Sequence, residues 1–177
     1  MIDAQLLLAA AVAVLLVVAA ITDAYHRIIP NWLTLAIALL ALPYWWATGM
    51  HLWPDVAFQL GIASVMFAIF LFVFAIGQMG GGDVKLIVAL ALFLDPLSFT
   101  WAIYVFALVG AVQTIVMLVP FNWQILTRKT HPGFGTTVAL VRRRLRRDRA
   151  KFENPYGIAI AIGGLVALSQ RYLNHLS

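Results

Sequence analysis

The 177-residue chain contains no cysteine. That absence removes disulfides, a thiol nucleophile and cysteine-ligated zinc together, and leaves no redox compartment to infer. Charge is scarce as well: 11% of residues are Asp, Glu, Lys or Arg against 63% hydrophobic, with a mean hydropathy of +0.94. Such a balance excludes an ordinary soluble domain and predicts an all-α polytopic membrane helix bundle, a single domain over 1–177. Any chemistry must come from carboxylates, histidines or hydroxyls. The formal charge of +5 does not point to nucleic acid, because the basic residues gather between apolar segments, where membrane topology accounts for them.

What is present in quantity is apolar sequence. It runs over 4–22, 32–48, 56–76, 84–94, 97–119 and 156–173, broken at Pro30-Asn31, Pro54, Asp95-Pro96 and Pro155. Most of these stretches approach the ~20 helical residues that cross a hydrocarbon core, so about six transmembrane helices are expected. The first is read as a retained helix and not a signal peptide, since no basic residue precedes it and no small-residue cleavage site follows. Six crossings put Arg27, Lys85 and the nine basic residues of the loop 121–154 on one side, leaving Arg171 on the other. By the positive-inside rule the first side is cytoplasmic and both termini face outward.

Two segments stand apart. The stretch 84–94 makes only roughly 16 Å of helix, so either it recruits part of the glycine loop before it or its start is sunk below the cytoplasmic surface. Within the basic loop, 138–151 sets Val138, Val141 and Leu145 at helical spacing beside six arginines in eight residues. That pattern predicts an amphipathic helix lying on anionic lipid headgroups.

Topology sorts the seven acids. Asp3, Asp55 and Asp95 fall on the outer side, where Asp55 after Pro54 and Asp95 before Pro96 read as caps or turn residues. Asp148 and Glu153 lie among arginines, in solvated ion pairs that contribute little. Asp23 and Asp83 are left, each at a cytoplasmic helix end. Taken alone, Asp83 reads as the N-cap of the fourth helix. Asp23 follows the C-terminal end of the first, where a negative charge meets the unfavourable end of the helix dipole, and its plain reading is a juxtamembrane polar residue.

Two aspartates from different helices on one face suit aspartic-protease chemistry. One carboxylate activates a water while the other, protonated, polarises the peptide carbonyl; the pair shares a proton and titrates as a unit. That chemistry takes neither metal nor cofactor. The rival readings are an ion- or proton-coupled transporter, which favours acids near the bilayer midplane, and a non-catalytic assembly subunit of a pilus or secretion system.

Asp23-Ala24-Tyr25-His26-Arg27-Ile28-Ile29-Pro30-Asn31 resembles the first motif of the type IV prepilin peptidases. Gly80-Gly81-Gly82-Asp83-Val84-Lys85-Leu86 resembles their Gly-x-Gly-Asp-x-Lys signature, and Asn154-Pro155-Tyr156-Gly157-Ile158-Ala159-Ile160 their third segment. Three motifs in order spread the resemblance over nearly the whole chain. It implies a membrane aspartic endopeptidase of the bacterial inner membrane, with Asp23 and Asp83 as its catalytic pair. It further implies a prepilin-like precursor as substrate, cut at a short basic leader on the cytoplasmic side. Lacking any Cys-x-x-Cys pair, the chain resembles the short form tied to tight-adherence (Flp-type) pili, and the N-methylation of larger members is not carried over. Presenilin-type proteases share the glycine-aspartate loop, but Pro-Tyr-Gly stands here where their Pro-Ala-Leu is expected.

The supporting residues keep two readings each. Lys85 is a positive-inside anchor or a charge favouring an ionised carboxylate. Gly80 and Gly82 end a helix or let backbone approach a substrate strand. Pro30 and Asn31 start the second helix, and His26 is a solvated loop residue. In the last helix Gly157, Gly163 and Gly164 permit close packing, while Tyr156, after Pro155, is an interfacial anchor or a wall of the site. Trp45, Trp46 and Trp53 are expected in an outer aromatic belt.

Overall fold

A computed structural model describes residues 2–127 and 156–176. Among them all regular structure is helical, with no strand: α1 Ile2–His26, α2 Asn31–Ala47, a kinked π turn Leu52–Val56 leading into α3 Ala57–Ala75, α4 Gly81–Phe93, α5 Pro96–Thr127 and α6 Tyr156–Leu176. The amphipathic helix expected over 138–151 lies outside the described residues, as does Pro155. Three helical stretches, Ala4–His26, Leu52–Ala75 and Pro96–Val116, are long and apolar enough to cross a membrane; Asn31–Ala47 and Tyr156–Gln170 are apolar but shorter. The chain divides into two compact units, Met1–Val109 with Pro155–Ser177, and Gly110–Asn154. Every described residue of the candidate site belongs to the first.

Within that unit α4 is central. It packs against α2, α3 and α6, while α1 packs against α2 and α6. Its Leu86, Ile87, Leu90 and Phe93 are fully enclosed, as expected of a helix that is apolar all round. Lipid tails are as apolar as leucine, so what holds such a helix is close packing and interhelical hydrogen bonds. The Tyr44 ring stacks on Phe93 at 4.2 Å. A methyl added at Gly164 would lie 2.8 Å from Leu16 Cδ1 and 3.2 Å from Leu90 Cδ1, so α1, α4 and α6 meet there. The small residues of α6 therefore do the close-packing work read from sequence.

Side-chain bonds fix helix directions. Gln5 at the start of α1 donates to the Ala47 carbonyl at the end of α2 (2.8 Å), so these two run antiparallel. Lys85 near the start of α4 donates to Asn31 Oδ1 (2.8 Å), and Trp45 near the end of α2 donates to the Leu92 carbonyl (2.9 Å), so α2 and α4 run parallel. The alternation agrees with that expected from the apolar stretches.

The short fourth helix recruits part of the glycine loop. Gly81 and Gly82 are helical, giving 13 residues, or roughly 20 Å. Its start is at the surface, with Gly80 and Lys85 exposed, while its far end is enclosed. A helix end leaves carbonyls without intrahelical partners, and these must be met inside an apolar bundle. Gln59 of α3, itself buried, donates to the Ala91 carbonyl (2.6 Å) and to that of Leu94, and Trp45 takes Leu92. Of the three tryptophans expected in an outer belt, Trp45 is half-buried and has this bond to α4, while Trp46 (87%) and Trp53 (81%) are exposed.

Candidate active site

Two further boundaries differ from the apolar stretches. α1 continues past Thr22 to His26, closed by the Arg27 N–H donating to the Asp23 carbonyl (2.9 Å), so Asp23 is inside the last turns and does not follow the helix. Arg27 then takes the left-handed conformation (φ 54°) that ends many helices, and Ile28 to Pro30 lead into α2. Asp83 is not the N-cap of α4 but its third residue: Gly80 holds the cap position, and the Gly80 N–H donates to Asp83 Oδ2 at 3.3 Å. The carboxylate reaches back to the cap as in a capping box, and glycine supplies no side chain for the reciprocal bond.

The two acids come to the same end of the bundle by simple helix arithmetic. Leu16, Leu90 and Gly164 form the shared layer of α1, α4 and α6. Seven residues from each, towards one end, stand Asp23, Asp83 and Gly157. A seven-residue step rises roughly 10.5 Å and returns to within about 20° of the same helix face. Both carboxylates therefore sit two turns beyond the layer, on the faces that carry Leu16 and Leu90 inward. Both are buried, Asp23 at 5% exposure and Asp83 at 7%.

The α6 helix closes one side of Asp23. A methyl at Gly157 would lie 2.7 Å from Asp23 Oδ2, 2.9 Å from Cγ and 3.0 Å from Cβ. The N–H groups of Gly157 and Ile158 lie beside the carboxyl, yet among the described residues Oδ2 has no partner at hydrogen-bonding geometry. A buried oxygen left so is rare enough to ask for a role.

The remaining motif residues bolt the loop after α1 to the start of α4. A methyl at Gly82 would meet Ile29 Cβ at 3.1 Å, and Lys85 holds Asn31 across the same junction. Pro30 takes the N-cap position of α2 with extended backbone (φ −62°, ψ 138°). Lys85 is exposed and its ammonium is engaged by Asn31. Tyr156 is half-buried and meets the Phe106 ring edge-on at 6.3 Å, and His26 is exposed. Ile29 was read only as part of the first motif, with no role of its own; an apolar residue directly before Pro30 was the available signal. Among the described residues no three His, Asp or Glu side chains cluster as metal ligands.

A polytopic helical membrane protein with two buried acids at one end is the class these features define. The chain belongs to the type IV leader peptidase family, whose family model matches residues 10–120. That span takes in both Asp23 and Asp83; Gly157 lies beyond it. Neither a curated protein nor a solved structure gives a significant match to the chain.

Proposed function

We propose that the protein is a membrane aspartic endopeptidase that removes the leader of prepilin-like precursors, with Asp23 and Asp83 as its catalytic pair. The observation that carries this reading is that Asp23 of α1 and Asp83 of α4 are both buried, each seven residues towards the same end from the Leu16–Leu90–Gly164 layer. Membership of a leader peptidase family supports the reaction class. In this mechanism the ionised carboxylate takes a proton from a water as its oxygen bonds to the scissile carbonyl carbon, and the protonated partner donates to the carbonyl oxygen. Collapse of the tetrahedral diol breaks the C–N bond: the carboxylate that gave up its proton takes one from a diol hydroxyl, and the other carboxyl gives the departing amine the proton that it requires.

The working orientation puts this end at the cytoplasmic face of a bacterial inner membrane, following the positive-inside distribution of Lys and Arg. There the arginine-rich 138–151 segment holds anionic lipid, at roughly 1 kcal/mol per basic residue near the surface. The two units act as one peptidase domain. Co-expression of a prepilin-like precursor with the wild type, Asp23→Asn or Asp83→Asn, followed by mass spectrometry of the precursor, tests the pairing. Leader removal by the wild type and intact precursor with both variants is expected; full processing by either variant overturns it.

A further inference from the structure

We propose that Gly157 is a positioning residue for Asp23: its missing side chain lets the first turn of α6 seat against the Asp23 carboxyl and hold it where Asp83 can act with it. The inference rests on the catalytic reading of Asp23. It assigns Gly157 a task distinct from the helix packing served by Gly163 and Gly164.

The distances make that distinction. At Gly164 an added methyl meets Leu16 Cδ1 and Leu90 Cδ1, the far ends of flexible side chains that can swing aside. At Gly163 it meets the Ala102 carbonyl and the Phe106 amide, so the helices must part, but no acid is touched. At Gly157 it meets Oδ2, Cγ and Cβ of Asp23. Rotating the Asp23 side chain relieves the first two contacts. It cannot relieve the third, because Cβ moves only with the α1 backbone. Any side chain at 157 therefore both turns the carboxyl and pushes α1 from α6. The buried Oδ2, lacking a partner among the described residues, is the atom nearest the methyl. Misplacing a reacting group by about 1 Å can cost on the order of 10²-fold in rate.

The test compares Gly157→Ala with Gly163→Ala on a prepilin-like precursor, with rates normalised to folded enzyme. Gly157→Ala is expected to lower kcat by at least about tenfold with KM within about twofold. Gly163→Ala lowers thermal stability and yield while kcat per folded molecule stays within about twofold. Equal kcat losses in the two variants, or a wild-type kcat for Gly157→Ala, overturn the proposal. Should Gly157→Ala be too unstable for kinetics, a double-mutant cycle with Asp23→Ala reads the same contact through melting temperature. Removing Oδ2 and Cγ should recover part of the loss; strictly additive losses overturn it. An active Asp23→Asn would instead sink the catalytic reading itself, whereas an inactive Asp23→Asn beside a normal Gly157→Ala sinks only this inference.

Discussion

The two ends of α4 differ in how their polar groups are met. At the Leu92–Leu94 end Gln59 and Trp45 take the exposed carbonyls, and Asp95 Oδ2 accepts the Ser98 N–H at 3.1 Å to start α5. Nearby Asp55 Oδ2 accepts the His51 N–H at 3.0 Å. At the opposite end Asp23, on the neighbouring α1, keeps a buried oxygen with no such partner among the described residues, and backbone is held at van der Waals range of it by Gly157. At one end the acids and carbonyls close helix ends; at the other, one oxygen of the Asp23 carboxyl, Oδ2, has no partner among the described residues. The difference teaches that an acid's role here follows from its hydrogen bonds and its depth, since the residue type is the same at Asp95, Asp55 and Asp23.

Substitutions can break that contrast. The largest effect is expected from Asp23→Asn and Asp83→Asn, each lowering leader removal by on the order of 10³-fold or more, while both variants melt near the wild type. Gln59→Leu should do the reverse. Loss of its bonds to Ala91 and Leu94 is expected to destabilise the fold by about 1 kcal/mol, with kcat per folded molecule retained. Asp95→Ala removes a helix cap and is expected to cost about 1 kcal/mol or less in thermal unfolding, again without a kinetic change. Smallest is Lys85→Met: its bond to Asn31 is exposed, so stability should shift by no more than about 0.5 kcal/mol. A large kcat loss there would bring Lys85 into the chemistry and sharpen the account.

Much of this was legible in the amino-acid order. Continuous apolar runs mark the six helices of the described residues, and the punctuation at Pro30-Asn31 and Asp95-Pro96 falls at real starts. That Asp23 and Asp83 would stand at the same end of the bundle was expected from topology and motif alone; their working as a pair is the proposal. Boundaries were harder, because Asp23 and the glycines of 80–82 look like helix breakers. Only the closed backbone bond from Arg27 to Asp23 and the helical Gly81 and Gly82 show otherwise. Gln59 was visible as a lone amide in the apolar α3, but its partners lie more than thirty residues away and depend on how α3 meets α4. Trp45 was hidden for the same reason, since tryptophans near a helix end read first as a belt. Gly157 looked like any small residue of a packed helix until its neighbour proved to be a carboxyl.

The absence of cysteine, which began as an exclusion, offers the cleanest test of the central claim that Asp23 and Asp83 share one site. Cysteines placed at 23 and 83 in this cysteine-free chain, treated in native membranes with a short thiol-to-thiol linker, should join efficiently, whereas cysteines at 23 and 95 should not. Joining of the 23 and 95 pair in preference to 23 and 83 would contradict the account.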